Sequence, residues 1–192
     1  MAHPSRIDNV NQTLSKLSLQ EDIVSWDDRE NGGDAIYTAH KAWTSPIPSN
    51  ATHRLVLQDD IEICNDFITI AEMVADKHNN QVVSFFHCEE YPENSRYNKT
   101  QKIWGCAVML PIHMVKPCWD FIEYMKTRPE IYNECYLKHD TVAMRMWAEK
   151  HEISVINTSP SLVQHIGDIS LVGNEKRRIA PDYCENPPLF GW

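Results

Sequence analysis

The chain has 192 residues, 42% hydrophobic and 23% charged, with a formal net charge of −9. That length suits one domain with a sizeable core, and the acidity argues against broad electrostatic adhesion to nucleic acid. No apolar run approaches the ~18 residues that suggest a membrane span, and Met1-Ala2-His3-Pro4-Ser5-Arg6 holds no apolar signal segment. No membrane insertion and a cytoplasmic location are therefore expected. Cys64, Cys88, Cys106, Cys118, Cys135 and Cys184 form no CxxC pair, so neither a zinc knuckle nor a redox dithiol is indicated and reduced thiols are expected.

In chain order, Ile7, Val10, Leu14 and Leu17 recur at helical spacing, which predicts a helix over 4–19. Residues 22–27 read as a short strand ending in acid, followed by a turn over 28–34 broken by Gly32-Gly33. A second helix over 35–44 stops at Ser45-Pro46-Ile47-Pro48. A strand over 53–58 runs into Asp59-Asp60, and a helix follows over 64–78. Residues 81–86 form a strand buried on both faces, and 87–101 a polar loop of the length that tends to be functional. A strand over 103–110, a helix to about 126 disturbed near Pro117, a helix over 137–151 and a strand over 153–157 complete the pattern. Strands alternating with helices favour an α/β/α sandwich with a mainly parallel central sheet. Residues 1–173 are expected to form the domain and 174–192 a C-terminal tail.

No GxGxxG fingerprint, P-loop or GxSxG elbow is present, which leaves dinucleotide, Walker-type and α/β-hydrolase chemistry without support. Three polar constellations remain. Gln58-Asp59-Asp60 puts two carboxylates side by side at a strand end, where like charges repel and drying them is costly without a cation. Open α/β sheets bind ligands at that end of their strands. Lys138-His139-Asp140 opens a helix, where an acid serves equally well as a cap. The stretch from Ser161 to Asp168 carries His165 beside apolar residues. Together they could hold a divalent ion against a diphosphate leaving group and supply a separate carboxylate as a base.

The order of these motifs resembles the glycosyltransferases of the GT-A fold, which use nucleotide-sugar donors. His3-Pro4-Ser5-Arg6 matches a loop of small bacterial and phage members, and Leu55-Val56-Leu57-Gln58-Asp59-Asp60 a strand with its DxD-type motif. Trp104 to Pro111 is similar to the strand after the acceptor loop. His139-Asp140, Trp147 and Pro160 to Gly167 match the later acidic helix and the C-terminal histidine segment. The match spans about residues 3–173, with Gln58 standing at the first acidic position of the motif. The resemblance implies that Asp60 and His165 bind Mn²⁺ or Mg²⁺. Arg6, Asp27, Gln58 and Asp59 would face the donor nucleotide-sugar, a UDP-sugar being expected. Asp140 would be the base of an inverting reaction, and Trp104 and Gly105 would border the acceptor. It implies an acceptor hydroxyl on a hydroxymethylated pyrimidine of phage DNA, with Arg96, Lys99, Lys102 and Lys176-Arg177-Arg178 as a basic rim. A glycan acceptor, or a non-catalytic nucleotide-sugar-binding module, is the alternative.

Overall fold

The computed structural model describes residues 1–19, 23–27, 35–92, 96–128, 130, 139–167 and 178–192. The predicted turn over 28–34, Cys135, Lys138, Asp168, Lys176 and Arg177 lie outside them, as does the start of the strand over 22–27.

A 3₁₀ turn, Pro4–Arg6, leads into helix α1, Ile7–Leu17. Helix α2, Ala35–Thr44, precedes strand β1, His53–Leu57, and the short strand β2, Ile61–Ile63. Helix α3, Phe67–Lys77, is followed by β3, Val82–Ser84, β4, Tyr97–Thr100, and β5, Ala107–Pro111. Helix α4, Ile112–Lys126, helix α5, Asp140–Lys150, β6, Val155–Thr158, and β7, Val163–His165, complete the order.

Five strands form one sheet in the order β1-β5-β3-β6-β4, and β2 pairs with β7 in a separate two-stranded ribbon. The central sheet is mixed. Only β3 and β6 pair in parallel, whereas β1–β5, β3–β5 and β4–β6 are antiparallel. This corrects the expectation of a mainly parallel sheet. Helices cover both faces, so a strand is apolar on both sides whichever way it runs, and burial carries no record of direction. The polar strand β4, with Lys99 exposed at its middle, sits inside what the sequence presents as a loop.

Alternate side chains of each central strand enter opposite cores, as the pleat requires. Val56, Val82, Val108, Leu110 and Val155 face α2, α4 and α5. Leu55, Leu57, Val83, Met109 and Ile156 face α3, the ribbon and the end of the chain. Helix α3 turns Phe67, Ile70, Ala71, Val74 and Ala75 inward, the three-or-four spacing of an amphipathic helix. Pro117 lies inside α4, where it has no N–H to give the preceding turn. The segment expected as a tail has no strand or helix among its described residues, yet Ala180 and Trp192 are buried in the second core.

Because β1, β3 and β6 point the same way, their carboxyl ends share one edge of the sheet. Gln58 to Asp60, Phe85 to His87 and Ser159 to Ser161 lie along it. Among the described residues no helix is long and apolar enough to cross a membrane, and the five described cysteines are free thiols.

Leu110 is fully buried between β1 and β3. Leu110→Ala should therefore cost about 2–5 kcal/mol, whereas Ile68→Ala on the exposed side of α3 should stay within about 0.5 kcal/mol. Urea denaturation of the two variants checks the contrast.

Candidate functional site at the carboxyl edge of the sheet

β1 ends at Leu57, but its ladder continues one residue further, because the Gln58 amide donates to the Cys106 carbonyl at 2.9 Å. The chain then turns through Asp59 and Asp60 and leaves the sheet to form β2. In the ribbon Ile61 pairs with His165, and the Ile166 amide donates to the Asp60 carbonyl at 2.9 Å. That register brings His165 Nε2 to 3.1 Å from Asp60 Oδ2. Gly167 permits the close approach. A Cβ there would stand 2.9 Å from Asp60 Oδ2 and 3.0 Å from its Cβ.

The opposite side of the acidic pair is closed by the start of the chain. Pro4 opens the 3₁₀ turn with its φ already suited to it, and the His3 imidazole accepts from the Ser5 amide at 3.2 Å. The turn presents the His3 amide to Asp59 Oδ2 at 2.6 Å. Arg6 Nη1 reaches Asp59 Oδ1 at 2.9 Å and Asp60 Oδ2 at 2.7 Å. All four side chains, Arg6, Asp59, Asp60 and His165, are at most 18% exposed. Burial pushes the Asp60 carboxyl upward in pKa, but His165, Arg6 and its own backbone amide outweigh burial and hold it below the usual carboxylate value.

The remaining expected site residues lie around this centre. Gly105 separates Gln58 from α5; a Cβ there would meet Gln58 Nε2 at 3.1 Å and Thr141 Cγ2 at 3.2 Å. Asp140 is the first residue of α5. Its carboxylate accepts from the Thr141 amide at 2.9 Å and faces Trp43 Nε1 at 3.4 Å. Burial raises its pKa above the usual carboxylate value, against the smaller pull of those two donors. The Met1 amino group feels the charges of both Asp59 and Asp140, so the two carboxylates lie within electrostatic reach of one cation. Asp27 is buried one segment away, with its amide on the Ala2 carbonyl at 2.7 Å and its carboxylate accepting from Thr38 Oγ1 at 3.3 Å. These bonds tie it to the Ala2 segment and to α2.

Trp104 packs edge-on to Phe86, and its carbonyl accepts from Ser84 Oγ at 3.0 Å. The Arg178 guanidinium lies 5.1 Å from its ring centre and the Lys102 ammonium 6.0 Å, within the range of cation–π attraction. Lys102 is also paired with Glu89, and Arg96 lies 5.0 Å over the Trp192 ring. The expected basic rim is thus partly engaged by groups of the chain itself.

A second polar centre on the same edge carries no sequence signature. His87 is fully buried, with Nε2 3.1 Å from Asp182 Oδ1. Asp182 also accepts from Ser159 Oγ at 2.7 Å and the Ser161 amide at 3.1 Å. Burial works to raise the Asp182 carboxyl, but these donors hold it below the usual value. Nearby, Asn157 donates to Tyr91 Oη at 2.8 Å, and Tyr91 donates to Glu89 at 2.9 Å.

A divalent ion fits the Asp60–His165 pair on one observation. Ligands at right angles on an ion with bonds of about 2.1 Å stand about 3.0 Å apart, close to the 3.1 Å found between Oδ2 and Nε2. Among the described residues no group of three or more His, Cys, Asp or Glu side chains is arranged to hold a metal by itself. The pair would share an ion with substrate oxygens and water, a common arrangement for Mg²⁺. No protein-family model matches the chain, and no curated protein matches its sequence.

Asp182 has a depressed folded-state pKa, so its stabilisation is complete above the unfolded value of about 3.9. It is lost as pH falls through the lower folded value. Asp182→Asn should therefore unfold more easily at neutral pH, by about 1–2 kcal/mol, and should show a shallower loss of stability below about pH 4 than the wild type. Urea unfolding at stepped pH measures both.

Proposed function

We propose that this chain is a metal-dependent glycosyltransferase that moves a sugar from a nucleotide-sugar, expected to be a UDP-sugar, to an acceptor hydroxyl. The observation that carries the reading is the meeting of Asp60 and His165 at 3.1 Å across the β2–β7 ribbon. The motif resemblance names the same two residues as ligands of one ion. Asp140 opens α5, whose Thr141 flanks Gly105 opposite Gln58, the residue before the acidic pair. The fold family proposed is the GT-A type; the reading is supported by the acidic pair standing directly after a strand of a sheet covered by helices on both faces.

In this reading Asp60 and His165 would hold Mn²⁺ or Mg²⁺, which would supply Lewis-acid charge neutralisation for a diphosphate leaving group. Arg6 faces the donor's phosphates, Asp59 assists the ion or contacts the ribose, and Gln58, beside Gly105, borders the sugar. Asp140 takes the proton of the acceptor hydroxyl as its oxygen bonds to the anomeric carbon. The nucleoside diphosphate leaves with the electron pair of the broken bond. A carboxylate whose pKa burial raises is a better base at neutral pH than an exposed one.

Two acceptors divide the surroundings. A hydroxymethylated pyrimidine in phage DNA would need its base flipped out and its phosphates met by Arg96, Lys99, Lys102 and Arg178. A glycan is favoured by a specific arrangement beside Trp104. Glu89, Tyr91 and Asn157 form a chain of hydrogen-bonding groups suited to sugar hydroxyls, and Glu89 cancels the charge of Lys102. A non-catalytic nucleotide-sugar-binding module predicts donor binding without turnover.

A panel of nucleotide-sugars, incubated with modified DNA and with glycans and read by mass spectrometry of the products, tests the activity. Transfer should require Mn²⁺ or Mg²⁺ and disappear in Asp60→Ala. Asp140→Asn should bind donor normally and lose about 10²–10⁴-fold in kcat. The wild-type rate should climb with pH through the raised Asp140 pKa, a limb the variant lacks. Equal donor binding by wild type and Asp60→Ala, with and without metal, would refute the cation assignment.

A further inference from the structure

The inference concerns Arg6 and rests on the cation site just proposed. Asp60 Oδ2 has two partners at once, Arg6 Nη1 at 2.7 Å and His165 Nε2 at 3.1 Å. A carboxylate oxygen offers about two lone-pair directions, so the atom a divalent ion needs is already saturated. The same Arg6 nitrogen also bridges to Asp59 Oδ1 at 2.9 Å. With these side chains at most 18% exposed, water cannot supply the missing counter-charge. Two adjacent ionised carboxylates in such a place need a cation.

We propose that Arg6 is a built-in counter-ion that competes with the divalent metal for Asp60. Without metal, the single guanidinium bridges the two carboxylates and offsets one of their two negative charges. When an ion takes Asp60 Oδ2 and His165 Nε2, the guanidinium gives up that oxygen, because a monovalent cation beside a divalent one is repelled and the lone pair is no longer available. Asp59 is its remaining anchor. That anchor does not move with the exchange, since Asp59 Oδ2 is fixed separately by the His3 amide at 2.6 Å. The two aspartates therefore differ in kind: Asp60 changes partner and Asp59 retains the displaced guanidinium. Held there, Arg6 keeps its positive charge at the edge of the site through Asp59.

Direct titration of Mn²⁺ into the full chain, following free ion by electron paramagnetic resonance with no donor present, tests the competition. Arg6→Met should bind Mn²⁺ more tightly than wild type, roughly tenfold or more, because one repelling charge and one competitor have gone. Arg6→Gln, which keeps a donor without the charge, should behave the same way, and Arg6→Lys should stay near wild type. Asp60→Asn should lose binding. If Arg6→Met and Arg6→Gln fold and bind Mn²⁺ no more tightly than wild type while Asp60→Asn loses it, the cation site stands and the competition is overturned. If neither wild type nor the Arg6 variants bind Mn²⁺, the cation site itself fails, and the competition falls with it.

Discussion

The structure is arranged around compensation of one electrostatic cost, that of Asp59 and Asp60. Two neighbouring carboxylates, each largely withdrawn from water, would carry a penalty of several kcal/mol apiece if left unpaired. Every element that reaches them brings a donor or a cation. The 3₁₀ turn brings the His3 amide and Arg6. The ribbon brings His165, and its ladder brings the Ile166 amide to the intervening backbone. Gly167 contributes by what it lacks, since any side chain would collide with Asp60. The result is a centre whose charges are partly offset and whose partners come from remote parts of the chain.

The second polar centre, on the same edge, is solved differently. His87, Asp182, Ser159 and Ser161 tie the terminal segment to the ends of β3 and β6. The Cys184 amide on the Ser161 carbonyl and the Asn65 amide on the Glu185 carbonyl add backbone bonds to the tie. This network fixes a segment, whereas the first fixes charges. Trp104 is tied to β3 and to the start of the terminal segment. Its carbonyl is held from β3 through Ser84, and its ring meets Arg178, just ahead of the docked residues.

How far this was legible in the sequence follows from what each signal encodes. The helical spacing of Phe67, Ile70, Ala71 and Val74 located α3, and the proline-rich stop after Thr44 placed the end of α2. β1 was visible as an apolar run ending in acid. β2, β4 and β7 were not, because three or four residues such as Ile-Glu-Ile or Tyr-Asn-Lys-Thr are too short to establish a period. With the ribbon invisible, nothing in composition or spacing could bring Asp60 to His165. The polar constellations suggested one shared site and the family resemblance singled out Asp60 with His165, but strand register is the physical fact behind their contact. The same blindness hid the mixed direction of the sheet and the His87–Asp182 tie, whose members share no sequence neighbourhood. For Asp140 the simple expectation of a helix-opening acid was close: it occupies the first helical position and takes the next amide, with Trp43 as a partner that only tertiary structure supplies.

The ribbon has a further consequence, for the order in which the molecule assembles. β2 follows β1 directly, while β7 comes after α5 and β6, so their pairing closes one of the longest loops in the chain. Contacts of that separation carry the largest loop-closure entropy and are favoured only once the intervening elements have condensed. Asp60 therefore gains His165 late, after the central sheet has formed around β3, β5 and β6. Until then Arg6, which lies next to the early helix α1, is the neutralising partner closest to hand among those in the finished site. The acidic pair can thus be met by Arg6, across the shorter of the two separations, before His165 arrives. The contact between Asp60 and His165 becomes a late property of the fold, formed when β2 and β7 meet.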